Sequence, residues 1–221
     1  MSARWRTAQF FELLWWRQYL ARKRKADYLN WKKNYWTRLF DRFALWPPAG
    51  ASVLDAGCGP AGAFLVLDNC SVDAVDPLIE AYERRLSHFS RQDNPKVCFI
   101  NAPLEKFKPT RHYDRVFCFN ALNHVGDLNL CILRLEQCLA QEGMLVCSID
   151  VHRRGWLRRI FQRLPGDILH PQQLTIVEYE RRFELSGLEC YERQVLKKGL
   201  IFNYILMKLR HRAENRGGHS S

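Results

Sequence analysis

A short glycine-rich segment carries the residues best suited to ligand chemistry. The apolar residues 53–54 lead into Asp55, and Gly57, Cys58 and Gly59 follow at once. This order predicts a buried strand, a tight turn and the start of a helix, which is where ligands bind above the strand ends of an open α/β sheet. Glycine is needed in such a turn because a side chain would hold the ligand away from the backbone.

Asp55, the acidic residue of this segment, limits the class of ligand that could bind here. The glycines, together with Gly62, also satisfy the pattern of dinucleotide-binding proteins, so they do not name a cofactor by themselves. Asp55 places a negative charge where a pyrophosphate would lie, which favours a cationic ligand without phosphate. The segment Leu-Asp-Ala-Gly-Cys-Gly-Pro at 54–60 resembles motif I of the class I S-adenosylmethionine (SAM)-dependent methyltransferases. The resemblance implies that Asp55, Gly57, Cys58 and Gly59 bind SAM.

Further cofactor contacts are expected at the ends of the next two strands. Residues 72–76 predict the second strand, and an acid at its end can accept hydrogen bonds from both ribose hydroxyls of an adenosine. We therefore predict that Asp76, with Pro77, binds the ribose. Many relatives place an Asp after the third strand to meet the adenine amino group, whereas this chain has Ala102 there. Adenine contacts are accordingly expected from Asn101 and from the backbone at Ala102.

Two histidines are candidates for a general base. The pattern Tyr-Asp-x-Val-x-x-x-Asn at 113–120, which ends at Asn120 and is followed by His124, resembles motif IV of small-molecule methyltransferases. Residues of that motif lie beside the transferred methyl group, so Asn120 is assigned to the cofactor site. His124 could act as a base near neutral pH or could order its loop. His152 follows the fifth strand, where Asp150 lies on the same strand face and is predicted to contact substrate.

The distribution of charge favours an anionic partner. The net charge is +11, and residues 1–46 hold eleven Lys and Arg against three acids, while residues 151–221 hold fourteen against seven. An acidic small molecule, a membrane surface and nucleic acid would each suit such basic flanks. Arg158, in an amphipathic arginine-rich segment, is predicted to bind a carboxylate or phosphate of the substrate, unless it belongs to a solvated face. Tyr35 and His170 are further predicted substrate contacts.

The resemblance also implies the architecture that positions these residues. We expect an α/β fold with a Rossmann-like, doubly wound, seven-stranded sheet, mostly parallel with one antiparallel late strand. Apolar spacing predicts helices after Gly62 and over residues 78–89, 128–139 and 171–186. The predicted organisation is an N-terminal helical cap (1–48), a methyltransferase domain (49–209) and a disordered basic tail (210–221). The Trp-rich helices of the cap could pack on the sheet, cover the substrate or lie on anionic lipid.

Composition limits the remaining possibilities. The chain of 221 residues is 47% hydrophobic, which fits one globular domain with a sizeable core. Its eight cysteines form no C-x-x-C pair, which favours reduced thiols in the cytoplasm and no metal site. No apolar run is long enough to cross a membrane.

These observations lead to one principal functional hypothesis and two alternatives. The principal hypothesis is a SAM-dependent methyltransferase that modifies O or N of a small acidic metabolite. The first alternative is an RNA methyltransferase that uses the basic flanks. The second is a protein that binds SAM without catalysis and associates with a membrane surface.

Overall fold

The computed structural model describes residues 3–152, 174–198 and 202–213. Its centre is a seven-stranded sheet with the order β3-β2-β1-β4-β5-β7-β6. The strands are β1 (Ser52–Ala56), β2 (Ser71–Asp76), β3 (Val97–Asn101), β4 (Tyr113–Phe119), β5 (Leu139–His152), β6 (Leu188–Lys198) and β7 (Phe202–His211). Strands β1 to β5 are parallel, and β7 runs antiparallel to both of its neighbours, β5 and β6. The predicted fold class is therefore confirmed.

Helices cover both faces of the sheet. They are α1 (Ala3–Leu20), α2 (Lys25–Phe43), α3 (Ile79–Arg85), α4 (Leu128–Cys138) and α5 (Ile176–Leu185). The alternating side chains of the central strands divide the core into two clusters, because successive residues of a strand point to opposite faces. One cluster joins α1, α2 and α3 to the sheet, and the other packs α4 and α5 against the opposite face.

The N-terminal helices share the core of the sheet. Phe40 of α2 is fully buried, and its ring lies 4.9 Å from the ring of Phe117 on β4. Trp36 donates a hydrogen bond from Nε1 to the carbonyl oxygen of Ala61, in the connection that follows β1, at 3.0 Å. This contact fixes α2 directly above the glycine-rich turn. The division of the chain into a cap and a methyltransferase domain stays a prediction.

The helix predicted after Gly62 is replaced by a short 3-10 turn, Ala63–Val66, and a second 3-10 turn, Gly59–Ala61, precedes Gly62. Gly62 between them is extended, with φ −78° and ψ −170°, so no continuous helical ladder can form. The Asp55 carboxylate accepts the backbone N–H of Phe64 at 2.9 Å, and this side-chain bond takes the place of a helical one. The helix prediction was wrong here because it followed apolar spacing alone.

Two strands extend beyond their predicted ends. β5 continues past Asp150 to His152, and β7 continues through His211, within the stretch predicted to be the disordered tail. Pairing with β5 explains the extension of β7, because Leu209 of β7 lies opposite Leu145 of β5. Within the described ranges, none of the helices has the length and apolarity needed to cross a membrane.

Candidate active site

The glycine-rich turn leaves β1 in a conformation that requires glycine. Gly57 and Gly59 have φ of +69° and +61°, in the left-handed region that side chains disfavour. The N–H groups of Gly57 and Cys58 donate to the carbonyl oxygen of Val75, at 2.7 and 3.2 Å. A Cβ on Gly57 would lie only 2.3 Å from the Cβ of Ala121, which follows β4. The turn is therefore held tightly between the ends of two strands.

Asp55 supports this turn from beneath. Its side chain is almost completely buried, and a Cβ added to Gly62 would lie 2.5 Å from its Oδ2 atom. Burial raises the pKa of Asp55 to about 7, although hydrogen bonds from the backbone of Phe64 and Ala63 act in the opposite direction. Asp55 does not line the cavity above the turn. Asp55 instead contacts the backbone that follows the turn, and its predicted contact with a cationic ligand stays a prediction.

Asp76 lies at the end of β2 and faces the cavity. Its two carboxylate oxygens accept the backbone N–H groups of Gly59 and Leu78, at 3.0 and 2.8 Å. Burial raises the pKa of Asp76 to about 6, and these two bonds lower it. A carboxylate has about four lone-pair sites, so Asp76 keeps acceptor capacity for hydroxyl donors such as those of a ribose.

A cavity of about 580 Å³ opens above the turn and below α1 and α2. This volume is within the range of small-molecule and cofactor sites. Its walls come from α1, α2, the glycine-rich turn, the ends of β2 and β4, the segments after β3 and β4, and β7. The lining residues are Gln9, Glu12, Trp15, Trp16, Trp31, Lys32, Tyr35, Trp36, Gly57, Cys58, Gly59, Pro60, Ala61, Asp76, Pro77, Pro103, Leu104, Glu105, Phe119, Asn120, Ala121, His124, Val125 and Tyr204.

Helix α2 supplies one cation among aromatic rings. The Nζ atom of Lys32 lies 5.8, 5.5 and 5.1 Å from the ring centroids of Trp31, Tyr35 and Trp36. Burial lowers the pKa of Lys32 to about 8, and the charge of Asp55 acts in the opposite direction. An ammonium held against three ring faces is stabilised by cation–π attraction. This arrangement presents a positive group to the cavity.

The end of β4 forms the opposite wall. Asn120 adopts φ +52°, and its N–H donates to the carbonyl and hydroxyl oxygens of Ser148 at 2.9 and 3.1 Å. The Ser148 hydroxyl also shares a hydrogen bond with the Tyr204 hydroxyl, at 2.5 Å. A non-glycine residue in the left-handed region is strained, and such residues concentrate at functional sites. His124 follows in a short 3-10 turn and also faces the cavity.

The structure brings together eight of the predicted site residues in this cavity: Tyr35, Gly57, Cys58, Gly59, Asp76, Pro77, Asn120 and His124. Asn101 and Ala102 do not line it, and the side-chain oxygen of Asn101 instead accepts the N–H of Glu80 at 3.1 Å. The wall in this region is formed by Pro103, Leu104 and Glu105. The expected adenine contacts at Asn101 and Ala102 therefore find no support in this geometry.

The remaining predicted residues lie elsewhere. Asp150 is on β5 opposite Tyr204 and does not contribute to the cavity wall. His152 is the last residue of β5, where it pairs with Phe202. Arg158 and His170 lie outside the described residues. The chemical roles assigned to all these residues stay predictions.

Several lining residues were missed from the sequence. Glu12 and Lys32 lie within the predicted helical cap, where neither residue was assigned a role. For Glu12 a usable signal existed, because Gln9, Glu12 and Trp16 have the spacing of one helix face. Tyr204 carries no such signal, since its position depends on the register of β7 against β5.

Comparisons with known proteins agree with this geometry. Residues 28–193 match the methyltransferase domain family. Ubiquinone biosynthesis O-methyltransferase of Rickettsia akari (strain Hartford) is 29% identical over 98 residues, which make up 43% of this chain and 39% of that protein. The matched region thus spans about two fifths of the length of the curated relatives.

Solved structures with the same fold include two that hold the reaction product of the cofactor. The 1,6-didemethyltoxoflavin-N1-methyltransferase of Burkholderia thailandensis, with bound S-adenosylhomocysteine, has a TM-score of 0.60 at 16% identity. The similarity covers 95% of this chain and 88% of that one. Magnesium protoporphyrin IX methyltransferase from Synechocystis PCC 6803, with bound S-adenosylhomocysteine, has a TM-score of 0.55 at 18% identity, with 83% of each chain covered.

The family match covers well over half of the chain, so it establishes the methyltransferase family that motifs I and IV indicated. The predicted family, enzyme class and cofactor are confirmed, while the identity of the methyl acceptor stays a prediction. This chain therefore belongs to the methyltransferase domain family, and it shares the fold of enzymes that bind S-adenosylhomocysteine.

Proposed function

We propose that this chain transfers a methyl group from SAM to an oxygen or nitrogen atom of a small, flat, acidic molecule bound beneath α1 and α2. The observation that carries the proposal is the cavity itself, in which the glycine-rich turn and Asp76 share one space with a set of aromatic rings. Acceptors of both kinds occur among the curated relatives, which are named as an O-methyltransferase and a probable N-methyltransferase.

The cofactor end of the cavity is formed by the turn and the end of β2. Gly57, Cys58 and Gly59 present backbone at close range, and Asp76 offers lone pairs to the ribose hydroxyls. Pro77 forms part of the same wall. When bound, SAM supplies a methyl group carried on a sulfonium. Asp55 contributes indirectly, because it fixes the turn through the backbone of Phe64.

The substrate end is proposed to lie among the rings of Trp31, Tyr35, Trp36, Phe119 and Tyr204. Aromatic walls favour a flat acceptor, since offset and edge-to-face contacts between rings add to the burial of apolar surface. Lys32 is the one Lys or Arg among the lining residues that the structure describes. Its ammonium suits an acidic group on the acceptor, in line with the prediction of an anionic substrate.

Catalysis in this proposal rests mainly on alignment. Methyl transfer is an in-line displacement, and holding the reactants in the reactive geometry lowers the barrier by several kcal/mol. Asn120, fixed by Ser148, shapes the wall beside the acceptor. His124 would accept a proton from a hydroxyl or ammonium acceptor, and it faces the cavity from the same wall.

Calorimetric titration with SAM and with S-adenosylhomocysteine tests the proposal directly. The wild type, treated with nuclease beforehand, should bind both compounds. Asp76→Ala should weaken both by about 1–3 kcal/mol, because charge-assisted hydrogen bonds to the ribose are lost. A folded wild-type protein that binds neither compound would refute the proposal, and unchanged affinity in Asp76→Ala would remove Asp76 from the cofactor site.

Contact with an anionic membrane surface is a second candidate property of the same enzyme. Phe10, Phe11, Trp15 and Trp31 are between 44% and 59% exposed, and both tryptophans also line the cavity. Exposed aromatic side chains on helices with basic residues suit the lipid–water interface. Such contact would bring the cavity mouth close to apolar acceptors.

Co-sedimentation with vesicles tests this property. The wild type should bind phosphatidylserine-containing vesicles at low salt and neutral phosphatidylcholine vesicles far less. Phe10→Ser with Phe11→Ser should reduce the binding without changing SAM affinity. Absence of wild-type binding to the anionic vesicles at low salt would dispose of the membrane interpretation.

A further inference from the structure

Helix α1 brings a second acid to the cofactor end of the cavity. Glu12 of α1 and Asp76 of β2 both line this space. Glu12 shares one face of α1 with Gln9 and Trp16, at the spacing at which helical residues are neighbours. Gln9 donates from Nε2 to Oε2 of Glu12 at 3.4 Å. The carboxyl group is close enough to Asp76 for the two charges to interact.

The surroundings of this pair lack a compensating cation. Asp76 on β2 and Tyr82 on α3 lie near Glu12, and Cys58 of the glycine-rich turn lies near Asp76. Burial, followed by the charge of Asp76, raises the pKa of Glu12 to about 8. In the described part of the chain, neither acid forms an ion pair with Lys or Arg. Lys32, the cation of the cavity, interacts with Asp55 instead.

We infer that Glu12 is a second cofactor-binding acid, contributed by α1, and that it loses its proton to water when the ribose hydroxyls of the cofactor bind at the Glu12–Asp76 pair. This inference rests on the proposed function, because it assigns the ribose to the end of β2. The two hydroxyls of a ribose are two hydrogen-bond donors. When both acids are ionised, each carboxylate can accept a hydrogen bond from one hydroxyl. The free site keeps a proton on Glu12 because burial, and after it the charge of Asp76, disfavours the ionised form of this carboxyl group.

The loss of a proton makes cofactor binding depend on pH in a defined direction. Below pH 8 the free enzyme holds the proton on Glu12, so binding must release it and affinity should rise as the pH rises. Linkage predicts about a tenfold gain in affinity between pH 6.5 and pH 7.5, with the gain levelling off near pH 9. Protonation of Asp76, whose pKa is about 6, adds to this dependence only at lower pH.

Calorimetry in buffers of different ionisation enthalpy measures the released proton directly. The probes are SAM and 5′-methylthioadenosine, which has the ribose but lacks the amino and carboxylate groups of the methionine portion. Titrations in phosphate and Tris at pH 7.2 should show that the wild type releases about one proton more than Glu12→Gln with either probe. Groups that titrate in both proteins, such as Lys32 and the amino group of SAM, cancel in this difference.

A matched control separates a local effect from a general change of charge. Glu80→Gln makes the same exchange at an exposed position of α3, and it should release as many protons as the wild type. At pH 9 the wild type should bind 5′-methylthioadenosine more tightly than Glu12→Gln. Circular dichroism establishes that each variant is folded.

The outcomes distinguish this inference from the proposed function. Equal proton release by the wild type and Glu12→Gln would overturn the role of Glu12 while leaving SAM binding intact. Failure of the folded wild type to bind either probe would instead overturn the proposed function, and the inference with it.

Discussion

Replacement of Gly57 by alanine tests how tightly the glycine-rich turn is held. Two separate costs follow from the structure. The backbone has φ +69°, and a residue with a Cβ loses about 1–2 kcal/mol in the left-handed region. The new Cβ would also lie 2.3 Å from the Cβ of Ala121, and overpacking of this kind costs about 1–3 kcal/mol. Gly57→Ala should therefore lower the free energy of unfolding by about 2–5 kcal/mol.

Two further variants separate these costs in urea unfolding followed by circular dichroism. Gly187 has φ +85° with no atom near an added Cβ, so Gly187→Ala should carry only the backbone cost. Adding Ala121→Gly to Gly57→Ala removes the close contact and leaves the Ala121 Cα at 3.7 Å, an ordinary van der Waals distance. The double variant should recover the packing cost only. If Gly57→Ala is no less stable than Gly187→Ala, the reasoning about the turn is refuted.

Two other predictions concern the acid beneath the turn and the contact above it. The pKa of Asp55 is raised from 3.8 to about 7 on folding, so the folded state holds its proton more tightly and wild-type stability should fall as pH rises through that interval. Asp55→Asn should flatten this fall in urea midpoints measured from pH 4.5 to pH 7.5, and an unchanged slope would contradict the assignment. Trp36→Phe removes the hydrogen bond to Ala61 and should cost about 1 kcal/mol of unfolding free energy. A loss confined to stability, with no change in SAM affinity, would show that this contact does not position the turn.

The parts of the site that were predictable come from single strands and their ends. The glycines at 57 and 59 and the acid at 76 each follow a buried strand, and parallel strands end at the same edge of the sheet. Local sequence is sufficient for these residues because their position depends on one strand at a time. The same local argument did not foresee that the chain after the turn folds back over the carboxylate of Asp55.

The parts that were missed depend on how distant segments pack. Glu12 and Lys32 reach the cavity because two helices lie across the sheet, and Tyr204 reaches it through the antiparallel register of β7 against β5. Neither the crossing of a helix over a sheet nor a strand register is encoded in a short window of sequence. Helical spacing could identify the face of α1 that carries Glu12, but not what that face would meet.

The position of β7 has a consequence for synthesis of the protein. β7 follows β6 in the chain, yet it lies between β5 and β6 in the sheet. While the chain is being translated, β6 emerges from the ribosome before the strand with which it pairs, and β5 keeps an unpaired edge. An open strand edge is a site of mispairing with other chains. The nascent chain therefore keeps an edge that is open to mispairing until β7 has emerged and paired with β5 and β6.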